Sequence, residues 1–166
     1  MYEILVRLDQ SDSVLFIPDE HQQSNTKKLS IVIPAYNEEK TVVSILARVA
    51  RVHLLNDIGK EITIVNDRSK DSTHQKITEY IQNNPEMNIR YFVHEVNKGK
   101  GAAIHSGIAF ASRDYLIIQD ADLEYDPREY NTLLKPVVEE HADVCLRHPI
   151  YRWQTSSHPF PLAFHR

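Results

Sequence analysis

Asp120, Asp122 and Glu124 arrive together, directly behind Tyr115-Leu116-Ile117-Ile118, in the run Gln119-Asp120-Ala121-Asp122-Leu123-Glu124-Tyr125-Asp126-Pro127. Alternate residues of an extended segment point the same way, so the three carboxylates form one row. Hard oxygen ligands grouped in this way suit Mg²⁺ or Mn²⁺, ions that proteins commonly share with the phosphates of a ligand. The same carboxylates could equally serve to solvate a loop. Asp126 has a structural reading of its own: with Pro127 behind it, it has the form of a helix N-cap followed by a first-turn proline.

Other polar residues stand where other apolar runs end. Leu29-Ser30-Ile31-Val32-Ile33 stops at Pro34, and Ala35-Tyr36-Asn37-Glu38-Glu39 follows. Asn37 can cap a helix, and Glu38 and Glu39 suit the positive end of its dipole. Neither duty accounts for Tyr36, an aromatic in the turn. Glu61-Ile62-Thr63-Ile64-Val65 ends in Asn66-Asp67, and Ser69 or Asp71 is placed to cap the helix beyond. That leaves Asp67 at the strand tip without a capping duty, and a ligand-facing role is the expectation. Asn97-Lys98-Gly99-Lys100-Gly101-Ala102-Ala103 combines small residues, which let backbone approach a ligand, with lysines near a helix start, a natural place for phosphate. It has neither the spacing of a Walker A loop nor that of a dinucleotide fingerprint.

The elements that must hold these residues follow from hydrophobic period. Strands are expected over 29–33, 61–65, 89–94, 115–118 and 142–146, and unalternating apolar runs among them imply strands covered on both faces. Between them lie one-face patterns of amphipathic helices: Val42, Ile45, Leu46, Val49 and Val52; Ile77, Tyr80 and Ile81; Ile104, Ile108 and Ala111; and Tyr130, Leu133, Leu134, Val137 and Val138 in a helix over 127–140 kinked by Pro136. This alternation predicts an α/β fold with a mostly parallel sheet flanked by helices. In such sheets ligands bind beyond the carboxyl ends of the strands, so Tyr36, Glu38, Asp67, Asp120 and Asp122 should meet at one edge. An aromatic, several carboxylates and a divalent ion in one crevice suit a nucleoside diphosphate. Residues 1–28 read as an N-terminal extension, with a hairpin of 2–8 and 14–17 and a polar linker over 19–28. Residues 147–166 read as an irregular tail, whose histidines lack metal-ligand spacing.

Length and composition set the outer limits. A chain of 166 residues suffices for one domain with a proper core. Its net charge of -4, without a basic run, leaves no footprint for nucleic acid. The single cysteine, Cys145, excludes an internal disulfide and a thiolate zinc site and fits a reducing compartment. No apolar run reaches membrane length and no signal-peptide pattern opens the chain, so a soluble cytoplasmic protein is expected.

Four stretches, in order, also resemble a known family. Ser30-Ile31-Val32-Ile33-Pro34-Ala35-Tyr36-Asn37-Glu38, then Ile64-Val65-Asn66-Asp67-Arg68-Ser69-Lys70-Asp71-Ser72-Thr73, then Asn97-Lys98-Gly99-Lys100-Gly101-Ala102, then Gln119-Asp120-Ala121-Asp122-Leu123-Glu124 are similar to the motifs of the inverting family 2 glycosyltransferases, nearest to the dolichyl- and polyprenyl-phosphate mannose or glucose synthases. The resemblance spans residues 29–146 and implies a GT-A fold. It implies that Pro34, Tyr36, Glu38, Val65 and Asp67 hold the base and ribose of a nucleotide-diphosphate sugar, continued by Asp120 and Ala121. Asp122, the catalytic residue, and Glu124 would hold Mg²⁺ or Mn²⁺ on the diphosphate, with Asp120 beside them.

The implied reaction is direct displacement at the anomeric carbon, with Lys98 or Lys100 assisting the phosphates. A polyprenyl-phosphate acceptor needs no base and implies peripheral membrane association. A saccharide acceptor would need one, and no candidate stands out. Two departures are Asn66, where the family usually carries an aspartate, and Cys145-Leu146-Arg147-His148-Pro149, where it continues with a Gly-Ser-Arg-type turn and an acceptor-binding half. Self-association through uncovered surface is expected. The competing readings are a nucleotidyltransferase and a nucleotide-sugar-binding or oligomerising module without turnover.

Overall fold

The computed structural model describes residues 3–7, 27–111, 114–147 and 162–164. Among these, β1 (Glu3–Arg7), β2 (Lys28–Ala35), α1 (Val42–Arg51), β3 (Gly59–Asn66), α2 (Thr73–Asn83), β4 (Ile89–Val93), α3 (Lys100–Phe110), β5 (Tyr115–Ile118), α4 (Tyr130–Val138), β6 (Val144–Arg147) and β7 (Leu162–Phe164) follow in chain order. The strands form one sheet in the order β4-β3-β2-β5-β1-β6-β7. β4, β3, β2 and β5 run parallel. β1 lies antiparallel between β5 and β6, and β7 antiparallel to β6.

The apolar run Ile31-Val32-Ile33 of β2 matches its central place, flanked on both sides and covered on both faces, and the one polar side chain buried in the strand, Ser30, donates to Glu61 Oε1 of β3 at 3.4 Å. Pro34 fits there because β5 pairs with β2 only from Leu29 to Val32, so the sheet has already opened on that side. On one face Ile31, Ile33, Ile62, Ile64 and Ile117 share a core with Val42, Ile45, Leu46 and Val49 of α1, Ile77 of α2 and Leu133 and Leu134 of α4. Lys60 closes α1, donating to the carbonyls of Val49, Ala50 and Val52 at 2.9, 2.7 and 2.7 Å, as a cation should at a helix C-terminus.

α3 covers the other face, against β2 and β3. Here the expected inward face is overturned: Ile108 is 40% exposed, whereas Ala103 and Gly107 are buried. The helix lies so close to the sheet that a Cβ on Gly107 would stand 2.3 Å from Val32 Cγ1, and only small residues fit the contact.

Other boundaries also shift. α1 begins at Val42 with Thr41 at the N-cap position, so Asn37 does not cap it; Asn37 takes φ 57°, a left-handed value that asparagine tolerates. Asp126 accepts from the amide of Arg128 with Pro127 behind it, as read. That turn, Pro127–Glu129, is separate from α4, and Pro136 lies in the last turns of α4, its carbonyl accepting from His141 and Ala142. The strand at Glu3–Arg7 pairs with β5 and β6 rather than with its sequence neighbours, and Val14–Ile17 falls outside the described residues. Beyond Arg147 the expected irregularity is broken by β7, and the histidines of that segment are likewise outside the described residues. Among the described residues no helix is long and apolar enough to cross a membrane.

Candidate functional site

The loops after β2 and β3 are fastened to each other. Asn37 donates its amide to Ser69 Oγ at 3.0 Å and accepts from the Lys70 amide at 2.8 Å. Glu38 and Glu39 donate their amides to Thr73 Oγ1 at 2.8 Å and Asp71 Oδ2 at 3.2 Å, and Glu39 accepts in return from the Ser72 amide. Ser69 therefore serves the neighbouring loop, while Asp71 accepts from the Thr73 amide at the start of α2. Backbone groups that a loop would otherwise leave to water are satisfied across the gap, so Tyr36 projects from a fixed turn and is 42% exposed. Glu38 accepts from Thr41 Oγ1 at 2.6 Å, and its carbonyl receives the amides of Thr41 and Val42. It starts α1 from the wall of a pocket.

That pocket, of about 290 Å³, lies at the carboxyl edge of the sheet between the ends of β2, β3 and β5. Pro34, Ala35, Tyr36, Glu38 and Asp67 form one side. Asn97, Gly99, Lys100 and Ala103 come from α3 and its approach, and Asp120, Ala121 and Asp122 from the loop behind β5. This is where the strand order reverses: the chain leaves β2 toward β3 and β4, then returns through α3 to β5 on the opposite side.

Asp67 is buried and has the structural duty that the sequence reading denied it. Its Oδ1 accepts from the Lys98 amide at 2.9 Å, its Oδ2 from the Gly99 amide at 2.7 Å, and His94 Nδ1 stands 2.7 Å from Oδ1. Burial alone would raise this carboxyl; the Lys98 amide, the His94 ring and the Gly99 amide outweigh it and hold the group below the ordinary carboxylate range. Gly99, at φ 86°, makes the left-handed turn from which α3 starts. From the next residue, Lys100 Nζ reaches Asp120 Oδ1 at 2.6 Å, a pair whose carboxylate is nearly buried.

The loop behind β5 hangs on a buried glutamine. Gln119 Nε2 donates to the carbonyls of Asp120 and Tyr125, and its Oε1 accepts from Tyr130 Oη at 2.7 Å. With its two ends tied, the loop exposes Asp122, whose Oδ1 accepts from the Glu124 amide at 3.1 Å. The row of three carboxylates is thus not gathered around one point. Among the described residues no group of three or more His, Cys, Asp and Glu side chains is arranged to hold a metal ion. Asp122 still offers a hard oxygen donor on the pocket wall, and one carboxylate together with phosphates is a donor set that Mg²⁺ and Mn²⁺ accept.

Pro34, Tyr36, Glu38, Asp67, Lys100, Asp120, Ala121 and Asp122 therefore converge, as read from the sequence. Val65 is fully buried in β3, and exposed Glu124 is not among the lining residues. The sequence marks Asn97, Gly99 and Ala103 only as part of a small-residue loop, and His94, at the end of β4, carries no local pattern that marks it.

Comparison with known proteins agrees with this geometry. Residues 30–162 match the family model of glycosyl transferase family 2. The chain is 36% identical over 110 residues to a dolichyl-phosphate beta-glucosyltransferase of Dictyostelium discoideum, covering 62% of this chain and 33% of that protein. Among solved structures, S. aureus TarS in complex with UDP-GlcNAc superposes with a TM-score of 0.59 at 26% identity, covering 70% of this chain and 32% of that one. A mannosyltransferase of Pyrobaculum calidifontis with GDP-Man and Mn²⁺ gives 0.57 at 20% identity, over 68% and 32% of the two chains, which speaks to the fold alone. The chain spans about a third of the length of the curated relatives it matches. The parallel strands flanked by helices are the GT-A arrangement expected from the motifs, and with more than half of its residues matched by the model, the chain belongs to glycosyltransferase family 2.

Proposed function

We propose that this chain forms the donor-binding part of an inverting glycosyltransferase that moves a sugar from a nucleoside diphosphate to a polyprenyl phosphate or a saccharide. The observation that carries the reading is the one pocket into which three separate strand ends bring Tyr36, Asp67, Asp120 and Asp122, and the start of α3 brings Lys100. Tyr36, Pro34 and the Asp67 edge form the side suited to a base, while Lys100 and the start of α3 offer positive charge to phosphates. Asp122 and, once released from Lys100, Asp120 are the residues that would hold a divalent cation. When bound, such an ion neutralises charge on a leaving diphosphate. The chain's own part is to orient the donor so that its anomeric carbon faces the acceptor. A polyprenyl-phosphate acceptor, the class named for the Dictyostelium relative, would be met at a membrane surface and is already an anion, so no base is required of these residues.

Titration calorimetry with UDP and with GDP, each with and without MnCl₂, tests the reading. Metal-dependent binding of one of them is expected, and Asp122→Ala should remove the dependence; equal affinity with and without Mn²⁺ in the unaltered protein would overturn it. One observation favours a second reading, a donor-binding module without turnover: among the described residues no group of three or more His, Cys, Asp and Glu side chains is arranged to hold a metal ion. Tight binding with neither sugar transfer nor hydrolysis would support that, whereas release of pyrophosphate would indicate a nucleotidyltransferase.

A further inference from the structure

We propose that His94 is a positioning residue for this pocket: by bridging Asp67 and Ser106 it locks the Asp67 carboxylate onto the Lys98 and Gly99 amides and so fixes the start of α3. His94 Nδ1 lies 2.7 Å from Asp67 Oδ1 and its Nε2 lies 2.9 Å from Ser106 Oγ. Its side chain is only 10% exposed. An ionised carboxylate only accepts hydrogen bonds, so Nδ1 must carry the proton, and in the neutral ring Nε2 is left to accept from the serine hydroxyl. That is the less usual neutral tautomer, chosen here by the partner on each side.

The order carboxylate, imidazole, hydroxyl is that of a nucleophilic triad, but Ser106 lies inside α3 and away from the pocket lining, so the hydroxyl anchors the ring. The imidazole joins the tip of β3 to the body of α3, about two helical turns beyond the Gly99 amide that the same carboxylate holds. α3 is fastened to Asp67 twice, and Lys100 stands between the two fastenings. A carboxylate deprived of the ring would keep its two amide bonds but lose the contact that sets its angle. The loop from Asn97 to Gly99 would then loosen, and Lys100 with it.

Nitrogen-15 NMR of the whole chain is expected to show His94 protonated at Nδ1; a ring bare at Nδ1 would overturn the proposal. Losing a charge-assisted hydrogen bond should speed amide exchange at Lys98 and Gly99 about tenfold or more in His94→Ala, with β2 amides unchanged. His94→Asn, which returns an N–H near the Nδ1 position, should restore slow exchange, and His94→Gln, which reaches toward Ser106, should not. Equal exchange in the Asn and Gln variants would refute the role even if the Ala variant fails to fold. One consequence rests on the donor-binding reading: UDP or GDP affinity in MnCl₂ should fall about tenfold in His94→Ala and recover in His94→Asn. If the unaltered protein binds neither nucleotide, that reading fails, while the exchange and tautomer results still decide the role of His94.

Discussion

Asp67 illustrates how one side chain can line a pocket and hold a backbone together. Its folded carboxyl is kept below its ordinary value, so its contribution to stability is complete above the unfolded carboxylate value of about 3.9 and is lost as acid carries the pH below that, through the lower folded value. Asp71 is depressed as well: burial raises it, and bonds from Thr73 and from the Glu39 amide outweigh the burial. The melting temperature should therefore drop between neutral pH and about pH 3, and Asp67→Asn should make that drop smaller. An equal acid loss in that variant would contradict the assignment. The convergence of Tyr36, Asp67 and Asp122 could be read from the sequence because each follows an apolar run that must be a strand. The ties of Asp67 could not, since Lys98 and Gly99 return to it only after β4 has been laid beside β3.

At the scale of elements, α3 separates pattern from packing. Ile104, Ile108 and Ala111 have helical spacing, yet the sheet is approached through Ala103 and Gly107, because a close helix excludes bulk at the contact. Periodicity locates a stripe but does not say how near the neighbour will stand. Gly107→Ala is expected to destabilise the protein by about 1–3 kcal/mol, measured as a lower denaturant midpoint, because the added carbon overlaps Val32. Adding Val32→Ala should recover part of that loss; a glycine variant as stable as the parent would show that the contact can relax. Strands β2, β3 and β5 could be read from their apolar runs. β1 could be read as a strand within residues 2–8, but its partners could not, as five residues of ordinary strand character say nothing of partners so distant along the chain.

For the whole molecule, surface that the described residues leave uncovered is the dominant fact. Among the described residues β4 is one edge of the sheet, and near it Val93, Val96, Ile108 and Phe110 are exposed, with Val96 at 59%. Phe92 and Phe110 stack there with ring centroids 3.8 Å apart. An open edge beside apolar side chains favours association, so light scattering should show dimers or larger species as concentration rises. A monomer throughout the range would contradict this.

β1 also governs the order in which the molecule can be assembled. Among the described residues the partners of β1 are Tyr115–Ile118 and Val144–Arg147, which lie on either side of it in the sheet. Closing so wide a loop is entropically slow, and the parallel half, made of nearer neighbours, can form without it. Glu3–Arg7 is thus a late clasp, and a chain caught before it seats would carry the parallel strands β4, β3, β2 and β5 with β6 not yet joined to them.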